Sequence, residues 1–532
     1  MTPQTTATNR PGKSSRRRKR APVLPLDIGV DLGTTRTVVC RADRGNYPVV
    51  TFTDSNGDAH EYLPSLTALT DAGLVHGFEA LEAARAGAPL LRSLKRVLSS
   101  PTVTDSTPVE LGGRTFTVLD ILTDYLRHLR TLLGAVPALD GVDLGSADAH
   151  VVVAAPAHAY GAQRLLTLEA FRSAGFNVTA MLNEPSAAGF EYTHRKSSTV
   201  SSRRTRVVVY DMGGGTFDTS LVDVVGTAHD VLASRGLSDL GGDDVDFVLA
   251  QLVLERAGLT EADLSHHELD DLLDQCRDAK EALSPQSRRL VIELRGSAIV
   301  IAAPDLYAAC VPLIERSLET MSPLVGRLDD GSPDLTEVAG IYLVGGASSF
   351  PPVPRMLRER FGRRVHRSPY PAASTAIGLA IAADRNSGYD LTDRLSRGFG
   401  VFREADDGAV TTFDAILTED SVQARKGAPG TVITRRYPAV HNLGRYRFVE
   451  CAGVDEHGGP RGELAPYEEV IFPFDPALRD RDDLSDVAVV RPGFGPWVEE
   501  RYEIDETGVV RVTLTDLNDG YSRSYVLGRR TA

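Results

Sequence analysis

The chain has 532 residues, 42% of them hydrophobic and 24% charged, with a formal net charge of −14. Such a length accommodates several domains, and the apolar fraction is enough for sizeable cores, which excludes a wholly disordered chain. The acidic balance argues against nucleic acid as a main partner, and no apolar run approaches the roughly 18 residues that cross a bilayer.

Residues 1–25 read as a disordered polar tail with a basic run, Arg16 to Arg20. The apolar stretch behind that run is short and broken by prolines, so it is no signal peptide, and a cytoplasmic location is expected. From Leu26 an apolar run reaches Asp31-Leu32-Gly33-Thr34-Thr35 and returns as Val38-Val39-Cys40. A strand follows at His150 to Ala154 and a helix at Gly161 to Ala174. Val207 to Tyr210 then reaches Asp211-Met212-Gly213-Gly214-Gly215-Thr216-Phe217-Asp218 and returns as Leu221-Val222. Helices are expected near Asp243 to Arg256, Glu268 to Leu283 and Pro304 to Leu328. The strand Ile341 to Val344 closes on Gly345-Gly346, and helices at Pro352 to Phe361 and Ala373 to Ala383 complete this half. Arg385 to Asp390 has linker composition. Beyond it Thr431 to Thr434, Tyr446 to Val449, Glu469 to Phe472 and Val509 to Leu514 alternate as strands of a small β-sandwich.

The two glycine-rich hairpins carry the chemistry. Glycine removes the Cβ that would keep a ligand away from backbone N–H groups, and threonine hydroxyls add donors. An aspartate at the strand end suits Mg²⁺, which keeps several waters and takes one or two carboxylates. Two such hairpins can clamp one polyphosphate from both sides. Either alone would be an ordinary turn; the recurrence in one order is the signal. Two other features point to nothing similar. His267-Glu268 opens like a zinc motif, but Asp271 stands where the second histidine is needed, and decoration of a helix N-terminus is expected instead. Cys40, Cys276, Cys310 and Cys451 are far apart and read as buried free thiols.

The paired hairpins and the later glycine turn resemble the actin, sugar kinase and heat-shock ATPase superfamily. Ile28 to Thr35, Leu94 to Leu98, Asn183 to Ala188, Asp211 to Asp218, Leu240 to Asp243, Cys276 to Ser284 and Leu343 to Gly346 resemble, in the family's order, the seventy-kilodalton heat-shock chaperones of DnaK type. The resemblance implies an α/β fold: an actin-like duplicated ATPase domain over 26–384, a linker over 385–395, and an all-β sandwich resembling the family's substrate-binding domain over 396–532. It also implies a divergent member, because the chain stops at Ala532 where the family's helical lid would begin, and fast peptide release is expected.

By the same resemblance the cofactors are ATP and Mg²⁺. Gly33, Thr34 and Thr35 would hold phosphates from one side, and Gly213, Gly214, Gly215 and Thr216 from the other. Asp31 and Asp211 would bind the metal's waters. Lys95, Glu184, Asp211 and Asp218 would form the catalytic group, with Lys95 orienting the attacking water. Lys280 and Ser284 would touch the nucleoside, and Gly345 and Gly346 the α-phosphate region. Departures lie at Arg277, Glu281, Ala347, Ser349 and Ala372, which put the base preference in question. Pro156 and Arg164 match the family's switch, whereas Ala180 replaces an arginine used in domain and J-protein contacts. The implied function is an ATP-hydrolysing chaperone of the stress response, coupling nucleotide state to unfolded peptide, with a J-domain co-chaperone and a nucleotide-exchange factor as partners. A nucleotide-gated scaffold without refolding activity and a small-molecule kinase remain the alternatives.

Overall fold

The computed structural model describes residues 26–139, 143–405, 409–425 and 428–528; the tail expected at 1–25 lies outside them. Two mixed sheets form the first part of the chain. In one, the strands run in the order Val178–Asn183, Ala149–Ala155, Leu26–Leu32, Arg36–Arg41 and Leu63–Pro64. In the other, the order is Val365–Arg367, Val338–Val344, Arg206–Met212, Phe217–Val225, Ala228–Leu237 and Asp390–Thr392. The correspondence is topological. Each glycine hairpin (Leu26–Leu32 with Arg36–Arg41, Arg206–Met212 with Phe217–Val225) is antiparallel, and its leading strand pairs in parallel with a later strand on the other side.

Leading strands such as Leu26–Leu32, buried along nearly their whole length, are apolar runs rather than alternating patterns because both faces are covered. The helices Glu184–Lys196 and Ser374–Ala383 sit between the two sheets, in a core with Val38, Val152, Val209 and Tyr342. Glycines permit this close packing. A β-carbon on Gly378 would lie 1.8 Å from the Ala187 carbonyl oxygen, and one on Gly29 2.4 Å from the Ala380 nitrogen. Separate cores line the outer faces, one around Ile28, Leu126 and Phe171, the other around Tyr210, Leu249 and Ile314.

The later part is all β. One four-stranded sheet runs Val410–Leu417, Gly398–Ala405, Leu443–Val454, Pro460–Pro473; the other runs Val432–Pro438, Trp497–Ile504, Val510–Asp516, Ser522–Val526. Phe399, Phe448 and Phe472 from the first share a core with Tyr502, Val512 and Leu514 from the second. The segment read as a linker is not a free connector: Asp390–Thr392 adds in parallel to Ala228–Leu237 and completes the six-stranded sheet. The exposed strand edge supplies unpaired backbone groups that such a segment satisfies. Among the described residues no helix is long and apolar enough to cross a membrane.

The histidine-glutamate pair behaves as expected. Ser265 caps the helix His266–Glu281, and Glu268 returns a bond to the Ser265 amide and pairs with Arg295. Cys40, Cys276, Cys310 and Cys451 are buried and free.

Candidate functional site

Both hairpins turn in the same way. The Gly33 amide donates to the Arg36 carbonyl at 3.0 Å, and the Gly213 amide donates to the Thr216 carbonyl at 3.0 Å. The second loop is anchored from behind, where the amides of Gly242 and Asp243 donate to the carbonyls of Gly213 and Gly214 at 2.9 and 2.7 Å. The loops face each other: a β-carbon on Gly214 would lie 2.7 Å from the Thr35 methyl, and one on Gly215 2.8 Å from the Thr34 methyl. Gly345, with φ of 80°, brings a third turn so near that a β-carbon would meet the Met212 carbonyl oxygen at 2.3 Å.

A cavity of about 310 Å³ opens between these turns. Asp31, Gly33, Thr34, Thr35, Lys95, Glu184, Asp211, Gly213, Gly214, Thr216, Lys280, Gly345 and Gly346 all line it. Three expected residues do not. Gly215 lies behind Gly214, against Thr34 and Arg96. Ser284 is exposed past the helix end and bonded to Ser287. Asp218 sits one layer deeper and borders a small adjoining cavity with Thr216, Pro156 and His158. The departing residues Arg277, Glu281, Ala347, Ser349 and Ala372 line one end of the main cavity.

The floor is a crowd of carboxylates around one cation. Lys95, buried on the short helix Leu94–Leu98, donates to the Leu32 carbonyl at 2.7 Å and forms an ion pair with Glu184. Burial and then the neighbouring Glu184 push Asp31 up to about 7. The same two causes push Asp218 up to about 7. Asp211 is raised well above the usual carboxylate range by burial, Glu184, Asp218 and Asp31. Burial pulls the lysine down, but Glu184 and Asp31 outweigh it and Lys95 is raised. Four acids against one lysine leave negative charge that a cation would neutralise. The donors are all oxygens, which suits a hard ion. Among the described residues no three potential ligands converge closely enough to bind a metal directly. The all-oxygen donor set fits Mg²⁺, with Asp31 and Asp211 near the strand ends that lead into the two glycine turns.

Arginines the sequence did not single out tie distant segments together, and one of these pairs, Arg36 with Glu281, lines the cavity. Arg92 makes a two-pronged pair with Asp274, both contacts at 2.5 Å, and Arg96 reaches Asp244 at 2.8 Å. Arg36 pairs with Glu281 at 2.5 Å and lies 4.3 Å from the centre of the Tyr62 ring. No local pattern could reveal them, because each partner lies more than a hundred residues away. Lys280 is already engaged, to the Gly242 carbonyl at 2.8 Å and to Asp246 at 2.7 Å.

The Arg164 guanidinium donates to Asn183 Oδ1 at 2.8 Å; the Asn183 side-chain amide donates to Asp393 at 2.7 Å. Arg164 therefore lies beside both the linker and the turn at Gly508 of the all-β part, where a β-carbon would come within 2.7 Å of its Nη2.

Two opposed glycine turns over a carboxylate floor, carried by two sheets of matching topology, define an α/β class of protein with one shared cavity. A family model described as "Hsp70 protein" matches residues 27–395, and the chain belongs to the Hsp70 family. It is similar to the chaperone protein HscA homolog of Burkholderia pseudomallei strain 668, with 32% identity over 71% of this chain and 62% of the relative. The HscA homolog of Burkholderia mallei strain SAVP1 gives the same figures, and that of Burkholderia ambifaria strain MC40-6 is 33% identical over equal shares. The chain thus spans about six-tenths of the length of the curated relatives it matches.

Proposed function

We propose that this protein binds ATP with Mg²⁺ between the two hairpins, hydrolyses it, and couples nucleotide state to peptide binding by its all-β part, as a chaperone. The observation that carries the reading is the opposition of the Gly33–Thr35 and Gly213–Thr216 turns across one cavity floored by Asp31, Glu184, Asp211 and Lys95. In this reading residues 26–384 form an actin-like duplicated ATPase domain, 385–395 a linker and 396–532 a β-sandwich. The membership of the Hsp70 family supports that division and the companion roles of a J-domain protein and an exchange factor.

Phosphoryl transfer asks the protein mainly for positioning and charge neutralisation. The amides and hydroxyls of both turns hold the phosphates, while Asp31 and Asp211 hold the waters of the metal, which offsets phosphate charge when bound. Lys95 leaves Glu184 to orient the attacking water, and Asp218 takes part from the layer below. Lys280 belongs to the nucleoside end, and with Ser284 outside the cavity wall the base is held by fewer contacts. Lys95→Ala is expected to lower single-turnover hydrolysis by ~10²–10⁴-fold while ATP binding persists. An unchanged rate removes Lys95 from the mechanism.

A second reading, the nucleotide-gated scaffold, has one observation in its favour. Glu500 is fully buried between the sheets of the all-β part and accepts from Arg403 at 2.9 and 2.6 Å, from Tyr437 at 2.5 Å and from Tyr502 at 2.6 Å. The interior between the sheets is thus filled by a bonded polar network and not by an apolar slot, and removing one partner of it would cost about 3–5 kcal/mol. Turnover measured with and without an unfolded peptide separates the readings: stimulation supports the chaperone, and steady turnover without peptide binding supports the scaffold.

A further inference from the structure

We infer that Arg397 is a positioning residue through which the all-β part holds the Asp218 carboxylate, with His158 as the intermediate. The inference rests on the hydrolytic reading of the cavity and names a residue that orients one of its acids.

Arg397 begins the all-β part, yet its side chain is buried in the other half of the molecule. The residue is 5% exposed, and its guanidinium lies 4.0 Å from the centre of the Tyr160 ring. Its Nη1 stands 3.0 Å from His158 Nε2, and its Nε and Nη2 have no hydrogen-bond partner among the described residues. Burying a cation on one directed bond and an aromatic face is a poor way to stabilise a fold. The arrangement makes sense as a fixed direction. A guanidinium only donates, so Nε2 accepts and His158 is neutral there. Burial, with Arg397 and Arg235 nearby, pushes the imidazole down to about 4, in keeping with that state.

The main chain at His158 makes the second link. Its amide donates to Asp218 Oδ1 at 3.3 Å. The preceding residue is held from the same side, because the Ser396 hydroxyl donates to the Ala157 carbonyl. Consecutive residues 396 and 397 thus grip consecutive residues 157 and 158, just after Pro156. Gly236 closes the other side, where a β-carbon would lie 2.6 Å from Asp218 Oδ1 and 3.1 Å from the His158 β-carbon. With no side chain there, Asp218 takes its orientation from the 157–158 main chain. Without the Ser396 and Arg397 contacts that main chain loses both of its anchors, and the carboxylate loses its fixed direction.

The test uses the full chain with ATP and Mg²⁺, measuring ATP affinity and single-turnover hydrolysis side by side. Arg397→Ala is expected to slow hydrolysis about tenfold, the worth of one ordinary hydrogen bond, with ATP affinity unchanged. Arg397→Lys, which still donates, should recover most of the rate. His158→Gln, which still accepts, should stay near wild type, and His158→Phe should match Arg397→Ala. The double variant Arg397→Ala with His158→Phe should be no slower than either single one, because the pair acts as a unit. Rates equal to wild type, losses that multiply, or affinity that falls in parallel with rate would each overturn the relay. A wild-type chain that binds ATP without turning it over overturns the hydrolytic reading itself, and the relay with it.

Discussion

The acids at the floor of the cavity are held in an environment that disfavours their charged forms. Asp31 and Asp218 are pushed up to about 7, and Asp211 is raised as well. A folded-state value above the ordinary carboxylate range means that the folded chain binds more protons than the unfolded one between about pH 4 and 7. Stability of the metal-free chain should therefore fall as pH rises through that window. Mg²⁺, which replaces the missing protons with positive charge, should recover it. Thermal unfolding measured at pH 5 and pH 8 with and without Mg²⁺ and ATP checks this. The expected gain on adding Mg²⁺ is larger at pH 8, on the order of 5 °C; an equal gain at both values would count against the carboxylate crowd as the metal's seat.

At the scale of elements, a set of arginine bridges ties one half of the α/β part to the other. The helix Leu94–Leu98 and the residues just before it supply Arg92 and Arg96, while the helices Gly242–Ala257 and His266–Glu281 supply Asp244 and Asp274. Each bridge joins a segment of the half bearing the Gly33 turn to a segment of the half bearing the Gly213 turn, so parting the halves must break it. Arg92 is the strongest of them, two-pronged and mostly shielded, with its side chain 15% exposed. Arg92→Ala should speed nucleotide release on the order of tenfold, as expected for one charge-assisted contact, and leave the hydrolysis step alone. Release of a fluorescent ATP analogue in stopped flow reads this directly. Raised salt should speed release in the wild type more than in the variant, since these bridges are partly exposed and screened.

For the whole molecule the decisive region is the junction between the α/β and all-β parts. Asp393 is buried and accepts from the Asn183 amide and side chain at 3.1 and 2.7 Å, and the Arg394 side chain pairs with Asp230. Gln423 donates to the carbonyls of Met181 and Glu506 at 2.9 and 2.8 Å, which pins the Asp505–Val509 turn against the first sheet. Burial pulls Arg164 down, and Asp393 is the largest influence opposing it. Arg164→Ala would remove the cation that reaches Asp393 through Asn183, while Asp393 keeps its bonds to Asn183 and residues 396 and 397 keep theirs to 157 and 158. Such a variant is expected to keep near-normal basal turnover but lose stimulation by peptide, and ATP should no longer change its peptide affinity, since coupling between two sites is reciprocal. Survival of both effects would place the coupling elsewhere.

Local chemistry made part of this protein legible in one dimension. Glycine, threonine and aspartate at the two strand ends specify tight turns, each closed by a bond within its own few residues. Apolar runs and helical periodicity marked most elements of the α/β half, because burial on both faces of a strand or one face of a helix writes a short-range pattern. Other features depend on residues that meet only after folding. Pairs such as Arg92 with Asp274 or Arg397 with His158 join chemically ordinary residues 182 and 239 positions apart. Asp218 read as one of the catalytic group and borders a smaller adjoining cavity, with Gly236 packed against its carboxylate. Three residues of the segment read as a linker, Asp390–Thr392, form a strand, because the Ala228–Leu237 strand offers them an edge. Glycine turns, caps and burial patterns are properties of neighbouring residues and were determined by the sequence alone. Bridges between the halves, the depth of an acid and the docking of a linker are properties of distant surfaces brought together, and those the tertiary structure decided.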